Sequence, residues 1–420
     1  RASLIRAWLR LQEAAGATLQ KEAQNVRGSN IVGSFIPRLK NTLAKRKGGA
    51  ENQDYSHEVY QAMAGCLACK SCVGQCPIKV NVPEFRSKFL ELYHGRYLRP
   101  LKDYFVGTLE YVIPYAAKVP SLYNLPMKAG FVKALMAKYA GMVDSPLICK
   151  ENIAKELARY GVAWASPEAL ARLPAEQKDK TVVLVQDAFT SFFETRLVLD
   201  IMDLLTRLGF RVFIAPFKPN GKPLHVHGMM NQFGRAAADN SEMLRALSET
   251  GVPLVGIDPS MTLTYRQEYT KALPEGDAPD VLLLQEWLVS QIATLETHGQ
   301  HDQQEASQEV FLLAHCTEKT NAAATIKMWQ QVYAALGFKL TLQASGCCGM
   351  SGTFGHETAN LDTSKTIYSQ SWSGIINDTE KQGRLVATGY SCRSQVKRLD
   401  DQLVPHPLQW LLRALNNQNI

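Results

Sequence analysis

Two stretches of this 420-residue chain carry the same pattern 128 positions apart. "KTVVLVQDAFT" followed by "LLTRLGFRVFIA" matches "QEVFLLAHCTE" followed by "YAALGFKLTLQ", so Val182 aligns with Val310 and Gly209 with Gly337 without a gap. Further on, "HGMMNQFG" (227–234) matches "CGMSGTFG" (348–355), and "PLVGIDPSMT" matches "RLVATGYSCR". Three blocks in one order, with drifting offsets, read as an internal duplication whose loops differ in length. Strand, helix, a Leu-Gly-Phe-basic turn and a second strand recur in each copy, which predicts two related α/β lobes.

The strands read as short apolar runs. "TVVLV", "RVFIA", "DVLLL", "EVFLLA", "KLTLQ" and "RLVAT" fall between residues 180 and 420, with helical patterns between them, as buried strands of an α/β sheet do. Residues 58–150 instead alternate helical patterns with proline-containing turns and show no convincing strand. Residues 1–57 read as a helical segment and linker, with polar, glycine-containing sequence at 44–56. There Leu4, Trp8 and Leu11 share a helical face, as do Ile5 and Leu9. The expected fold class is α/β: an N-terminal all-α domain of ferredoxin type (58–150), a helical linker (151–178), a first lobe (179–304) and a second lobe (305–420).

At 46% hydrophobic and 20% charged residues, the composition is that of a globular protein. No run of about 18 uninterrupted apolar residues argues for a membrane span. The most membrane-like stretch, residues 111–143, carries Lys118, Lys128, Lys133 and Lys138 and is interrupted by prolines. It reads as surface helices with a buried face, the alternative being a membrane- or partner-facing surface. Residues 1–150 hold 22 Lys and Arg against 10 Asp and Glu, and the remainder 24 against 29. A basic front half suits the surroundings of an anionic centre. No nucleic-acid module is present, so no nucleic-acid partner is expected. The chain starts at Arg1 without a signal peptide. It is therefore expected to be a piece of something longer or a processed product, cytoplasmic or peripheral at the inner membrane.

Eight of the nine cysteines fall in motif-like contexts. "GCLACKSCVGQCPIKV" spaces Cys66, Cys69, Cys72 and Cys76 as C-x2-C-x2-C-x3-C-P. Thiolates at this spacing wrap a 4Fe-4S cubane, whereas structural zinc normally uses two separated C-x2-C pairs. In two-cluster ferredoxins the last cysteine of such a run serves the other cluster, but this chain has one run. The fourth ligand is Cys76 itself, Cys149 in "SPLICKEN", or a cysteine of the second lobe. The second-lobe set is Cys316, Cys347, Cys348 and Cys392, on segments that follow strands, with a glycine at every third position of "GCCGMSGTFG". Such a loop lets backbone N–H groups approach an anion. This set is a candidate for a second iron–sulfur cluster, against the alternative of an inert cysteine group. Its first-lobe counterparts are Ala188, Val226, His227 and Met261, so the first lobe has no thiolates and only His227 remains as a ligand or as a polar loop residue.

Elsewhere, Lys218, Lys222, His225 and His227 form either a carboxylate-binding loop or a solvated basic one, and His406 positions the final helix. No G-x-G-x-x-G follows a strand and no Walker A sequence is present, which argues against the usual nucleotide sites. No Ser/His/Asp order supports nucleophilic catalysis.

A ferredoxin-type run followed by lobes with Cys-Cys-Gly resembles the iron–sulfur partners of D-lactate and glycolate oxidases, anaerobic glycerol-3-phosphate dehydrogenase and heterodisulfide reductase. Those usually carry two runs and cysteines in both lobes. Here the final C-x2-C reads Cys392-Arg-Ser-Gln395, so the last thiolate is absent. A closer resemblance is to the C-terminal part of the large bacterial FAD/4Fe-4S D-2-hydroxyglutarate dehydrogenases. "GCLACKSCVGQCPIKVNVPEFRSKFLELYHGRYLRP", "FKPNGKPLHVHGM" and "GCCGMSGTFGHE" carry it, and it covers about residues 55–420. The resemblance implies an electron-transfer module. FAD is expected on an upstream flavin domain, in the same polypeptide or as a subunit, with a carrier such as quinone as acceptor and a homo-oligomeric assembly. The alternatives are a separate iron–sulfur subunit of a glycolate/lactate or glycerol-3-phosphate dehydrogenase complex, and a non-catalytic structural metal-binding protein.

Overall fold

The computed structural model describes residues 1–28, 31–46, 55–78, 80–299 and 309–417. Most of the linker expected at 44–56, and the lobe boundary at 304–305, lie outside the described residues. The chain forms two compact units: a helical one, Arg1–Leu109 with Gly221–Arg235, and an α/β one, Glu110–Asn220 with Ala236–Ile420.

The helical unit is organised on the helix Val82–Arg96, which starts at Asn81, whose side chain accepts the Glu84 N–H at 3.1 Å. Its Phe89, Leu90, Leu92 and Tyr93 join Ile5, Trp8, Val59 and Met63 in one core. The buried stripe of the helix Ala2–Ala14 is Ile5, Trp8 and Gln12. Leu4 and Leu11, which share a face with Trp8, and Leu9, which shares one with Ile5, are exposed. Gln12 is inside because Arg96 Nη1 donates to it at 2.7 Å, while the same guanidinium holds Glu22 through two bonds of 2.6 and 2.7 Å.

Residues 221–235 come from the first-lobe stretch of the sequence but belong to the helical unit. Gly228 makes this possible: it has φ +67°, and a Cβ there would lie 2.5 Å from Leu90 Cβ and 2.7 Å from Ser87 O. Arg86 Nη1 donates to Val226 O at 2.7 Å and Arg99 Nη2 to Gly228 O at 3.2 Å, so two guanidinium groups clamp the segment.

Among the described residues the α/β unit carries two sheets, all of whose pairings are parallel. The strands are β1 (Ala163–Trp164), β2 (Thr181–Val185), β3 (Arg211–Ile214), β4 (Leu254–Gly256), β5 (Leu282–Leu283), β6 (Glu309–Leu313), β7 (Lys339–Leu342) and β8 (Leu385–Ala387). Strand order is β1-β3-β2-β4-β5 in the first sheet and β7-β6-β8 in the second. The pairings coincide at the offsets seen in the sequence. Thr181 pairs with Arg211 as Glu309 pairs with Lys339, and Val183 with Leu254 as Phe311 with Leu385. Both Leu-Gly-Phe turns close alike: Phe210 N–H donates to Leu205 O at 3.0 Å, and Phe338 N–H to Tyr333 O at 2.8 Å. Each of the six apolar runs contains a strand, and β1 and β4 are additional. One apolar core spans both sheets, joining Val182 and Leu184 to Val310 and Leu312 through Ile201, Trp329, Leu408 and Leu411.

Residues 110–150, grouped above with the cysteine run, fold with the α/β unit. Val143 N–H donates to His356 O at 2.7 Å, and Arg398 Nε holds Asp144 Oδ2 at 2.8 Å.

Candidate metal centres

The second-lobe sulfurs meet where the three strands of their sheet end. β6 runs out through Ala314 to His315 and Cys316, the latter opening the helix Cys316–Asn321. β7 leads to Cys347 and Cys348, and Cys392 lies in the first turn of the helix Tyr390–Asp400 that follows β8. Loops at the carboxyl ends of parallel strands are where open α/β sheets gather function. Cys347 is within hydrogen-bonding reach of Cys316 and Cys348, and Cys348 of Cys392. The four sulfurs thus form one connected set.

Within it the thiols are unequal. Donation from Cys316 and then Cys348, with the Gly349 N–H at 3.3 Å from its Sγ, pushes the Cys347 thiol down to about 3 against its burial. Cys348 moves the other way, raised by its bonds to Cys347 and Cys392 and by burial. Gly349 has φ +81°, and a Cβ there would stand 2.3 Å from Ser364 O. Only glycine lets this backbone pass so close to the neighbouring helix while its N–H faces sulfur.

His315 caps the helix of Cys316: its Nδ1 accepts the Thr317 N–H at 3.3 Å. The ring proton is then on Nε2, which lies 3.1 Å from Ser391 Oγ and 4.0 Å from Cys316 Sγ. Burial lowers the His315 pKa. In the first lobe Asp187 occupies the equivalent cap, and Asp258 the position of Gly389. Asp187 accepts from Phe189 N and Thr190 N at 2.8 and 2.9 Å, and burial with the charge of Asp258 pushes it up to about 7. Glu318, buried beside Thr388 Oγ1 at 2.8 Å, is also pushed up to about 7, chiefly by burial. Sequence patterns missed these carboxyls because each is a single capping or helix residue with no spaced partner.

The position of the absent last thiolate is filled. Gln395 is buried and donates to Ser364 Oγ at 3.0 Å, and Ser364 Oγ donates to Gly349 O at 2.8 Å. Arg393 is buried as well, donating to Ala387 O and Thr388 O at 2.9 and 2.8 Å and pairing with Glu194.

In the helical unit, Cys66 follows the helix Ser56–Ala64, its N–H donating to Met63 O at 3.0 Å. Between Cys66 and Cys72 the chain winds through two non-glycine residues in the left-handed region, Ala68 (φ +53°) and Lys70 (φ +62°). Such conformations cost about 1–3 kcal/mol each and cluster at functional sites. A short helix, Ser71–Gln75, follows, and Cys76 N–H donates to Cys72 O at 3.0 Å. None of the nine cysteines is in a disulfide. Cys149 belongs to the α/β unit, where its N–H donates to Phe192 O at 2.8 Å and burial raises its thiol. Among the described residues, no three His, Cys, Asp or Glu side chains converge on the geometry of a single metal ion. A cubane presents one iron to each of four thiolates. The donor chemistry of both cysteine sets fits that group.

His227 does not lie on a solvated loop. It is buried in the helical unit with Nδ1 3.1 Å from Asp103 Oδ1, and His225 faces Glu84 Oε2 at 3.4 Å. His94 approaches the same Asp103 at 3.6 Å, and burial with the charge of Arg99 lowers it to about 3. Lys218 pairs with Asp239 at 2.7 Å. His406 caps the last helix, its Nδ1 accepting the Leu408 N–H at 3.2 Å.

Comparison with known proteins adds a clear likeness. Over 414 residues, 98% of this chain, it is 52% identical to the D-2-hydroxyglutarate dehydrogenase of Pseudomonas putida, covering 40% of that protein. The chain is similar to D-2-hydroxyglutarate dehydrogenases along almost all of its length. The Escherichia coli D-2-hydroxyglutarate dehydrogenase is 41% identical over 417 residues, 99% of this chain and 40% of its own length. The chain thus spans about two fifths of the D-2-hydroxyglutarate dehydrogenases it matches. One subunit of the anaerobic glycerol-3-phosphate dehydrogenase of Escherichia coli is 25% identical over 256 residues, 59% of this chain and 62% of that subunit. No protein-family model and no solved structure matches.

Proposed function

We propose that this chain is the electron-transfer portion of a dehydrogenase that oxidises D-2-hydroxyglutarate. One observation carries the reading: a cysteine run spaced for a cubane lies in a chain 52% identical, across 98% of its length, to a D-2-hydroxyglutarate dehydrogenase. Cys66, Cys69, Cys72 and Cys76 would hold a 4Fe-4S cluster, and Cys316, Cys347, Cys348 and Cys392 offer a second thiolate set. Such a cluster, when bound, supplies one-electron transfer between a flavin and an acceptor such as quinone. The chain's own residues set ligation, burial and hydrogen bonding to sulfur. Gly349 N–H supplies one such bond, at Cys347.

The flavin would belong to a domain of the same polypeptide or to a partner subunit, and the working assembly would be a homo-oligomer. Cytoplasmic placement suits cysteines that form no disulfide. Likeness to the glycerol-3-phosphate dehydrogenase subunit favours one second reading, a separate iron–sulfur subunit of such a complex. Iron and sulfide analysis, then titration of the flavin-containing enzyme with each substrate under EPR, tests both. The expected result is four or more irons per chain and a cluster signal appearing with D-2-hydroxyglutarate. A signal with glycerol 3-phosphate alone selects the second reading, and an iron-free, EPR-silent protein overturns both.

A further inference from the structure

Within the α/β unit, one run of helices leaves large apolar side chains exposed. The helices Pro120–Lys128 and Gly130–Leu135, and the turn Met136–Ala140 that continues them, contain no buried residue. Five of their large apolar side chains face water, among them Leu122 at 75% exposed, Leu125 at 76% and Phe131 at 78%, while Tyr123, Met127, Val132 and Met136 are half-buried. Surface helices ordinarily hide an apolar stripe, and a contiguous exposed apolar patch marks an interaction surface. The expectation of a buried face for this stretch is not met over residues 120–140.

Its charge is one-sided. From Tyr111 to Val143 the sequence holds four lysines and no Asp or Glu. None of these ammonium groups is paired with a carboxylate among the described residues. Two of them instead lie near tyrosine rings, Lys118 Nζ 5.3 Å from the Tyr115 centroid and Lys138 Nζ 5.4 Å from that of Tyr139. Lysine stems and aromatic rings of this kind bridge apolar and headgroup layers at a bilayer surface. Pro120 and Pro126 break the stretch into short pieces, and no helix among the described residues is long and apolar enough to cross a membrane.

We propose that residues 111–143 form an interfacial surface that seats on an anionic lipid bilayer, apolar side chains at the acyl boundary and lysines among the headgroups. The cores of protein interfaces are depleted of lysine. Four unpaired lysines without a single acid complement anionic headgroups instead. This goes beyond the electron-transfer reading and stands without it.

The test is co-flotation of the full chain with vesicles of phosphatidylglycerol and phosphatidylethanolamine, and with vesicles of phosphatidylcholine alone. The chain is expected to float with the anionic vesicles only. Binding should weaken with salt and fall about five-fold for each lysine replaced by glutamine. A triple variant, Leu122→Ser, Leu125→Ser and Phe131→Ser, is expected to stay in the aqueous fraction with unchanged circular dichroism, since those side chains are exposed. Two outcomes overturn the proposal: flotation that ignores lipid charge, or a triple variant that floats like the parent. A parent chain that fails to float, while chemical labelling shows the same lysines protected in a protein complex, assigns the surface to a protein partner and also overturns it.

Discussion

Asp258 of the first lobe caps a helix of the second: its Oδ2 accepts the Tyr390 N–H at 2.8 Å. The other oxygen, Oδ1, caps its own helix at Ser260 N and Met261 N, at 2.9 and 3.2 Å. One buried carboxylate therefore holds two helix N-termini, including that of the helix carrying Cys392. Truncation leaves both ends unsatisfied. Asp258→Ala is expected to cost about 2–4 kcal/mol, two caps at about 1–2 each. Asp258→Asn, which keeps one acceptor, should cost less. Urea denaturation curves of the two variants check the order.

Asp187 and Glu318 make stability depend on pH in an unusual direction. Unfolded, both carboxyls ionise near pH 4; folded, burial holds the proton on each to about 7. Between those values the folded state binds more protons than the unfolded one. The contribution is therefore fully present below about pH 4 and is lost as pH rises through about 7, by up to ~1.4 kcal/mol per pH unit for each group. Asp187→Asn keeps a capping oxygen for Phe189 N and Thr190 N and removes the titration. Its urea midpoint should change less between pH 5 and pH 8 than that of the parent chain.

These two acids also show where sequence reading stops. Six of the strands were legible because buried strands are written as apolar runs, "TVVLV" being buried at all five positions. Grouping the second-lobe cysteines was legible because strand ends in one parallel sheet lie side by side. The path of Gly221–Arg235 was not: "KPLHVHG" is rich in basic and polar groups, and only the close approach of Gly228 to Leu90 shows that it is buried. The buried stripe of the first helix was not legible for a related reason. Gln12 is polar by type and buried by partnership, because Arg96 satisfies it. Hydropathy records the residue and not the partner.

Cys347 should be the most reactive thiol of the second lobe in the metal-free chain. It is half-buried and held as thiolate by neighbouring donors, while the buried Cys348 keeps its proton. The thiolate is the nucleophile. Iodoacetamide at pH 6 is expected to label Cys347 ahead of Cys316, Cys348 and Cys392, as read by peptide mass spectrometry. Gly349→Ala, which disturbs the N–H facing that sulfur, should slow the labelling. Equal labelling of all four would contradict the hydrogen-bond order of the sulfurs.

Arg86 links the segment at Val226 to the entry of the cysteine run. Its Nε donates to Met63 O at 3.3 Å, the same carbonyl that receives the Cys66 N–H at 3.0 Å, and its Nη1 donates to Val226 O at 2.7 Å. Methionine has a similar stem and no donor, so Arg86→Met removes two charge-assisted bonds at little cost in volume. Such bonds contribute about 1.5–3 kcal/mol each, and the loss falls where Cys66 leaves its helix. The variant is expected to melt at a lower temperature and to retain less iron per chain than the parent after the same reconstitution. Arg86→Lys, able to keep one of the two bonds, should fall between. If Arg86→Met binds iron like the parent while its melting temperature drops, the guanidinium supports the fold alone and has no part in placing Cys66.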